Sequence, residues 1–336
     1  TAPSESTSTF DSLLQPIWID LPSWIERILL PNSQFVQPQW YIMDLDPLDP
    51  TYVNERLSKP PFVNISGVVN VRDLGSYPTT HDGFMTRPGL LFRSGEISHI
   101  TPEGIAQLKD LGITTVYDLR SDIEMQRYET PCPDIEGVEI VQAPVFKTED
   151  YSPEAMAKRF ELYASGKTEA FMELYSQILD NGGPAFGAIL RHVRDRPQEG
   201  CIFHCTAGKD RTGIIAAILL KVGWTCQITP IICLLNHGMQ LAGVDDQTIA
   251  EDYALTRVGR EPARQMVMAR LAKVPYFATN TEAARNMFTS RAETMLAFLH
   301  LLEQQYGGVE GYLKRHVGLT DEDIAAIQRN LLVPKS

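Results

Sequence analysis

Residues 201–213 are Cys201-Ile-Phe-His204-Cys205-Thr206-Ala207-Gly208-Lys209-Asp210-Arg211-Thr212-Gly213, followed by the apolar run Ile-Ile-Ala-Ala-Ile-Leu-Leu. The stretch predicts a short buried strand, a tight loop and a helix. The N-terminus of a helix has backbone N–H groups without intrahelical partners and carries partial positive charge, so it attracts anions. The helix end and Arg211 also favour the thiolate of Cys205. We therefore expect a phosphate-binding loop with a nucleophile at its base.

This stretch resembles the HCxxGxxR[ST] signature of the protein-tyrosine-phosphatase superfamily. With Lys209 and Asp210 it is similar to the HCxxGKxRTG subgroup, the atypical tyrosine/serine and lipid phosphatases of bacteria and fungi. The resemblance runs from about residue 62 to residue 332. Its other segments are Asn70-Val-Arg72-Asp73-Leu74-Gly75, Leu91-Phe92-Arg93-Ser94, Asp118-Leu119-Arg120-Ser121 and Gly318-Leu319-Thr320. The resemblance implies hydrolysis of phosphomonoesters without a metal or cofactor.

The overall composition is that of a soluble globular protein. The chain has 336 residues, of which 43% are hydrophobic and 21% charged. Its formal net charge of −12 argues against general binding to nucleic acid or to anionic membranes. No apolar run is long enough to span a membrane. An anionic substrate must therefore be captured by a local positive site, and the oligomeric state stays open.

The cysteines indicate a reducing compartment. There are five, an odd number without a regular framework, which argues against a disulfide scaffold. The first ten residues lack a secretory apolar region, so we expect a cytoplasmic protein. Neither CxxC pairs nor clustered histidines suggest a metal site. The cysteines are Cys132, Cys201, Cys205, Cys226 and Cys233.

Alternating strand and helix patterns predict an α/β fold. Strands are expected at 65–71, 90–94, 114–120 and 138–143, and helices at 101–112, 153–180 and 184–195. This order favours a largely parallel central sheet covered by helices on both faces.

Three regions lie outside this regular pattern. Residues 1–60 are expected to form a partly disordered arm with a short helix at 22–30, and residues 61–336 the phosphatase domain. Residues 223–240 contain Pro and Gly and continue no helical period, so they predict an irregular insertion. Residues 261–291 are rich in helix formers and Met, which indicates either core packing or a helical lid.

The catalytic roles follow from the loop chemistry. Cys205 is the expected nucleophile, and Arg211 offers a planar fork for two phosphate oxygens. The backbone N–H groups of 206–211, that is Thr206, Ala207, Gly208, Lys209, Asp210 and Arg211, are expected to bind the other oxygens. Thr212 can donate to the Cys205 sulfur, and His204 can orient the loop.

The leaving group needs a proton donor, and two carboxyl groups qualify. Asp210 lies in the loop beside Arg211, and Asp118 ends a strand at the expected ligand edge of the sheet. The resemblance favours Asp210.

Three further basic residues are candidates for supporting roles. Lys209 is expected either as a mobile charge at the rim, where related phosphatases bind a second phosphate, or as a solvated surface side chain. Arg72 and Arg93 are expected either to form structural ion pairs, with Asp73, Asp118 or Asp210 as partners, or to contact the substrate.

Three functions remain open from sequence. The chain could dephosphorylate phosphotyrosine or phosphoserine in proteins, or a small substrate such as a phosphoinositide, an isoprenoid (pyro)phosphate or another metabolite. It could also be a catalytically impaired phosphate-binding module, although Cys205, Arg211 and Thr212 argue for turnover.

Overall fold

The computed structural model describes residues 46–80, 83–147, 153–222 and 243–335, which all belong to one compact unit. The helix expected at 22–30, the rest of the arm up to residue 45 and the segment 223–240 lie outside the described residues. Within the described ranges, none of the helices has both the length and the apolar character to cross a bilayer.

A five-stranded sheet forms the centre. The strands along the chain are β1 Arg72–Asp73, β2 Phe84–Thr86, β3 Leu91–Ser94, β4 Ile113–Asp118, β5 Glu139–Gln142, β6 Gly200–His204 and β7 Leu332–Pro334. The sheet order is β1-β3-β6-β4-β5, and β2 and β7 form a separate pair. β6 pairs in parallel with β3 and β4, β5 extends the parallel part, and β1 adds an antiparallel edge. The predicted largely parallel sheet is confirmed.

Helices cover the sheet and make up most of the rest of the described chain. They are α1 Pro50–Leu57, α2 Pro102–Asp110, α3 Asp122–Tyr128, α4 Pro153–Ser165, α5 Thr168–Asp195, α6 Asp210–Lys221, α7 Asp246–Ala254, α8 Thr256–Gly259, α9 Arg264–Leu271, α10 Pro275–Thr279, α11 Thr281–Asn286, α12 Ala292–Tyr306, α13 Gly308–Tyr312 and α14 Asp321–Leu331. A 3₁₀ turn at Glu261–Ala263 precedes α9, and a π-helical turn at Leu313–Val317 follows α13.

The two faces of the sheet contribute to two apolar cores, because successive strand side chains point to opposite sides. Cys201 and Phe203 of β6 lie in the larger core with α5, α6 and α12. Ile202, between them, lies in the smaller core with Leu108 of α2 and Val116. Strand β6 is thus buried on both faces, as parallel strands are.

Three expected elements differ from the prediction, the first being the helix expected at 153–180, which is divided into α4 and α5. The prediction of a strand at 65–71 is wrong. Gly67 and Asn70 have φ values of +85° and +62°, which interrupt the extended backbone that strand pairing requires. Helix α5 continues through Pro184, where a break was expected. Gly183, beside the proline, lies so close to the His316 carbonyl that a Cβ there would be 2.1 Å from its oxygen.

The structure describes residues 46–60 of the expected arm and the whole of the expected lid, residues 261–291. Helix α1 contributes Val53 to a small cluster with Leu48, Phe62 and Val258. The range 261–291 is helical, as expected, and it forms its own cluster of Leu271, Phe277, Phe288 and neighbours. Its use as a lid stays a prediction.

The end of helix α6 lies beside residues 243 and 244, where the described chain resumes. The Val244 N–H donates to the Leu220 carbonyl at 2.9 Å, and Gly243 packs against the Lys221 carbonyl. The two ends of the undescribed segment are therefore neighbours, so a short connection suffices to join them.

We predict that deleting 223–240 leaves a folded, active phosphatase. A shorter loop costs less closure entropy, so the melting temperature should stay the same or rise. Thermal melts and phosphate release on the shortened chain measure this. The control replaces 223–240 by a Gly/Ser linker of equal length, and failure of both variants to fold would show that the segment belongs to the core.

Candidate active site

The loop between β6 and α6 brings the predicted residues together. Cys205 follows the strand directly, is 2% exposed and lies against a cavity of about 300 Å³. Thr206, Ala207, Lys209, Asp210 and Arg211 line the same cavity. Helix α6 begins at Asp210, so its first N–H groups lie at this end of the cavity.

Gly208 permits the tight course of this loop. Its φ is +65°, in the left-handed region, and a Cβ would lie 2.3 Å from the Ser94 carbonyl oxygen. Only glycine combines this φ with such a close approach of backbone to backbone.

Groups outside the loop bind its carbonyls. Asn70 Nδ2 donates to the carbonyls of Ala207 and Gly208 at 3.3 and 3.2 Å, and Arg93 Nη2 donates to that of Gly208 at 3.0 Å. The Glu96 N–H donates a hydrogen bond to the Thr206 carbonyl at 3.2 Å. Because the C=O and N–H of a trans peptide point in opposite directions, these contacts orient the N–H groups of 207–209 away from the bound carbonyls.

Arg72 and Arg93 pair with Asp252, not with Asp73, Asp118 or Asp210 as expected. Arg72 Nε lies 3.0 Å from Asp252 Oδ1, and Arg93 Nη1 contacts Oδ2. All three side chains are at most about 1% exposed. Burial alone would raise the pKa of Asp252, but Arg72 and Arg93 hold it below its ordinary value. Asp73 instead caps the N–H groups of Gly75 and Gly89.

Glu124 is a site residue that the sequence analysis missed. Its carboxylate binds Arg211 at two points, Oε2 to Nη1 at 2.6 Å and Oε1 to Nη2 at 2.8 Å, and it contacts the Thr206 hydroxyl. It therefore fixes the plane of the guanidinium from the Nη1–Nη2 edge. The Ser121-x-x-Glu124 spacing is a capping-box signal. Ser121 does cap α3, but the glutamate turns to the loop instead.

The two candidate proton donors lie in different surroundings. Asp210 lines the cavity, where Tyr175 donates to its Oδ1 at 2.9 Å. Asp118 is fully buried, is not part of the cavity wall, and receives Arg120 Nη2 on Oδ2 at 2.7 Å and Arg120 Nε on Oδ1 at 3.0 Å. Burial would raise the pKa of Asp118, but the Arg120 guanidinium, which binds both of its oxygens, holds it below its ordinary value. This geometry supports a structural carboxylate.

Lys209 is neither mobile nor solvated, contrary to both expectations. It is 2% exposed, and its Nζ lies 4.9 Å from the centre of the Phe171 ring and donates to the Thr289 carbonyl at 3.2 Å. Burial lowers the pKa of Lys209. Arg260, which the sequence analysis also missed, is a second buried cation on the cavity wall, and its guanidinium lies 4.8 Å from the centre of the Phe288 ring.

His204 and Thr212, two further predicted site residues, are both fully buried. His204 Nδ1 lies 3.3 Å from the Cys205 carbonyl, in line with the expected orienting role. Burial lowers the pKa of His204, which favours the neutral ring. The Thr212 hydroxyl is buried and has no hydrogen-bond partner among the described residues, so the expected bond to the Cys205 sulfur is not formed in this structure.

Asp118, Cys132 and His204 form a group whose ligand atoms all lie within 4.8 Å of one another. Arg120 already binds both oxygens of Asp118 and brings a positive charge beside them. This donor set is therefore a poor one for a divalent cation. The cysteines at 132, 201 and 205 are free thiols.

Most of the remaining cavity wall is apolar, although Glu96, His99, Gln177 and Arg270 also line the cavity. Apolar residues from α4, α5 and the 261–291 range include Phe160, Leu174, Ile178, Val267, Leu271 and Met287. Arg270 of α9 connects this wall to α3, because its Nη2 donates to the Tyr128 carbonyl at 2.7 Å. A phosphate ester bound at the loop would thus place its organic group against apolar side chains.

Comparison with known proteins finds relatives that match most of the chain. A family model described as the tyrosine phosphatase family matches residues 63–223 and 234–333. The chain is 28% identical over 299 residues to the triple specificity protein phosphatase PtpB of Mycobacterium tuberculosis, covering 80% of this chain and 98% of that protein. It is 26% identical over 245 residues to a tyrosine-protein phosphatase of Nostoc commune, covering 71% and 73%.

We predict that Glu124→Gln lowers stability in a pH-dependent way. Burial would raise the pKa of Glu124, but Arg211 and Thr206 hold it below its ordinary value. A depressed folded pKa stabilises the fold above the unfolded pKa of about 4.3, and this stabilisation is lost as the pH falls through the folded value. The variant should lose about 2 kcal/mol at pH 7, and the difference from the parent should shrink as the pH falls from about 5 to 3.

Denaturant unfolding across this pH range measures the effect. Glu139→Gln is the matched control, because Glu139 pairs with Arg196 on the surface, where an ion pair contributes little. A stability difference for Glu124→Gln that does not change with pH would contradict the argument.

Proposed function

Because the chain belongs to the tyrosine phosphatase family, we propose that it hydrolyses phosphotyrosine and phosphoserine in proteins through a cysteinyl-phosphate. The observation that carries this proposal is that Cys205, Arg211 and Asp210, the first residue of α6, line the same cavity. The family and its site also argue against a binding module without turnover.

The first step forms one bond and breaks one bond. The Cys205 thiolate attacks phosphorus in line, and the bond from phosphorus to the leaving oxygen breaks. Arg211 and the N–H groups of 206–211 bind the equatorial oxygens, whose charge spreads in the transition state. Glu124 supports this role by holding both Nη atoms of Arg211, which fixes the plane of the guanidinium beside the loop.

Asp210 is the proposed general acid. It protonates the leaving oxygen and so becomes a carboxylate. Water then attacks phosphorus and gives a proton to that carboxylate, while the P–S bond breaks and releases the Cys205 thiolate. Its place on the cavity wall supports this role. Thr212 is proposed to donate to the departing sulfur once charge develops there, since its hydroxyl has no other hydrogen bond among the described residues.

The burial of Cys205, which is only 2% exposed, favours phosphotyrosine over phosphoserine, because the longer side chain reaches further into the protein. The apolar wall supports a second candidate, a small phosphomonoester with an apolar group. A panel of phosphotyrosine peptides, phosphoserine peptides and alkyl phosphates, compared by kcat/KM, separates the two.

We expect Cys205→Ser to abolish turnover, by at least about a thousandfold, since the nucleophile is lost. The variant should still bind vanadate, because the loop N–H groups and Arg211 remain. Cys201→Ala is the matched control and should keep turnover, as Cys201 lies in the sheet core. Unchanged phosphate release by Cys205→Ser, or a strict metal requirement revealed by a chelator, would overturn the mechanism.

We expect Asp210→Asn to lower kcat/KM about a hundredfold for phenyl phosphate and much less for 4-nitrophenyl phosphate, whose leaving group needs little protonation. Asp118→Asn should instead reduce stability, because Arg120 loses a buried partner. If Asp118→Asn shows the leaving-group dependence and Asp210→Asn does not, the two roles are exchanged.

A further inference from the structure

Two buried tyrosines lie in series behind Asp210. The Tyr175 hydroxyl, from the first third of α5, donates to Asp210 Oδ1 at 2.9 Å. The Tyr253 hydroxyl, from α7, lies 2.6 Å from that of Tyr175. Both side chains are at most 1% exposed, and the Tyr175 ring packs edge-on against Phe171 and Phe298. The hydroxyl that touches Asp210 is therefore held by the core and not by a surface loop.

The chemistry of these groups fixes the direction of the hydrogen bonds. An ionised carboxylate only accepts, and a tyrosine hydroxyl has a single proton. Since Tyr175 gives its proton to Asp210, Tyr253 must be the donor to the Tyr175 oxygen. Burial raises the pKa of both tyrosines well above the ordinary value, so both keep their protons.

The same hydrogen bonds remain possible when Asp210 carries a proton. If the proton is on Oδ2, Oδ1 still accepts from Tyr175, and neither hydroxyl has to turn. A proton on Oδ1 would instead compete with the Tyr175 donor. The carboxyl group can thus lose its proton while the Tyr175 and Tyr253 hydroxyls keep their orientation. Such preorganised donors make electrostatic catalysis efficient.

We propose that Tyr175 is a positioning residue that assigns the acidic proton of Asp210 to Oδ2 and holds the carboxyl plane, with Tyr253 fixing the Tyr175 hydroxyl. The inference rests on the proposed role of Asp210 as general acid. Other charged groups also face this carboxyl: Lys209 Nζ lies 3.8 Å from Oδ1, and Arg260 interacts electrostatically with Asp210 and Cys205. These groups are unchanged in a Tyr175→Phe variant, so that variant isolates the hydroxyl.

The experiment compares kcat/KM for a series of aryl phosphates, from phenyl to 4-nitrophenyl, in the parent, Tyr175→Phe, Asp210→Asn and the double variant. This ratio reports the phosphoryl-transfer step to Cys205, in which the acid acts. Tyr175→Phe should lower the value for phenyl phosphate about tenfold, the worth of one hydrogen bond to a charged group, and that for 4-nitrophenyl phosphate less than about twofold. The double variant should match Asp210→Asn, because Tyr175 acts only through that carboxyl.

Two controls separate positioning from simple destabilisation. Tyr312→Phe removes another buried hydroxyl, one that donates to the Leu179 carbonyl, and should leave the whole series unchanged. Tyr253→Phe keeps the Tyr175 bond and should give a smaller loss than Tyr175→Phe with the same leaving-group trend. Thermal melts of all variants verify that each is folded at the assay temperature.

An equal loss for all leaving groups in Tyr175→Phe, or the same loss again in the Asp210→Asn background, would overturn the inference and leave Tyr175 as a packing residue. Retention of parental kcat/KM on phenyl phosphate would overturn it as well. An Asp210→Asn variant without leaving-group dependence would instead overturn the general-acid role itself, and the inference with it.

Discussion

The buried carboxylate of Asp252 is the interaction on which the site depends. It lies between Arg72 of β1 and Arg93 of β3, and Tyr77 donates to it at 2.9 Å. Removing one member of such a buried group leaves an uncompensated charge, which typically costs about 3–5 kcal/mol. Because Arg93 also binds the Gly208 carbonyl, the ionised aspartate holds the edge of the sheet, α7 and the phosphate loop in one arrangement.

Behind the loop, each functional group has a partner that restricts it. Glu124 fixes the plane of Arg211, and Asn70 binds two loop carbonyls. These contacts are made before any phosphate arrives, so the donors need little rearrangement when charge develops on the substrate. Lys209 is similarly held beside two aromatic rings, which fixes the position of its amino group at the cavity wall.

The sequence predicted the loop, the strand before it and the parallel sheet, because these depend on short-range signals: an apolar run, a glycine and a helix start. It did not identify Glu124 or Arg260, since nothing local distinguishes a capping glutamate from one that turns to an arginine 87 residues away. The partner of Arg72 was missed for the same reason: Asp252 is 180 residues distant, and nearer acids were chosen. Lys209 was placed at the surface because charged residues usually are, whereas its aromatic neighbours come from α4 and α5.

The neighbouring positions of Leu220 and Val244 give the fold a place where its length can change. Helix α6 carries the phosphate loop at its first turn, and its twelve residues put the far end about 18 Å away. Closing a flexible loop between adjacent anchors costs only about 0.6 kcal/mol more for each doubling of its length. The length of this connection can therefore change at little cost in stability, while the phosphate loop at the other end of the helix keeps its position.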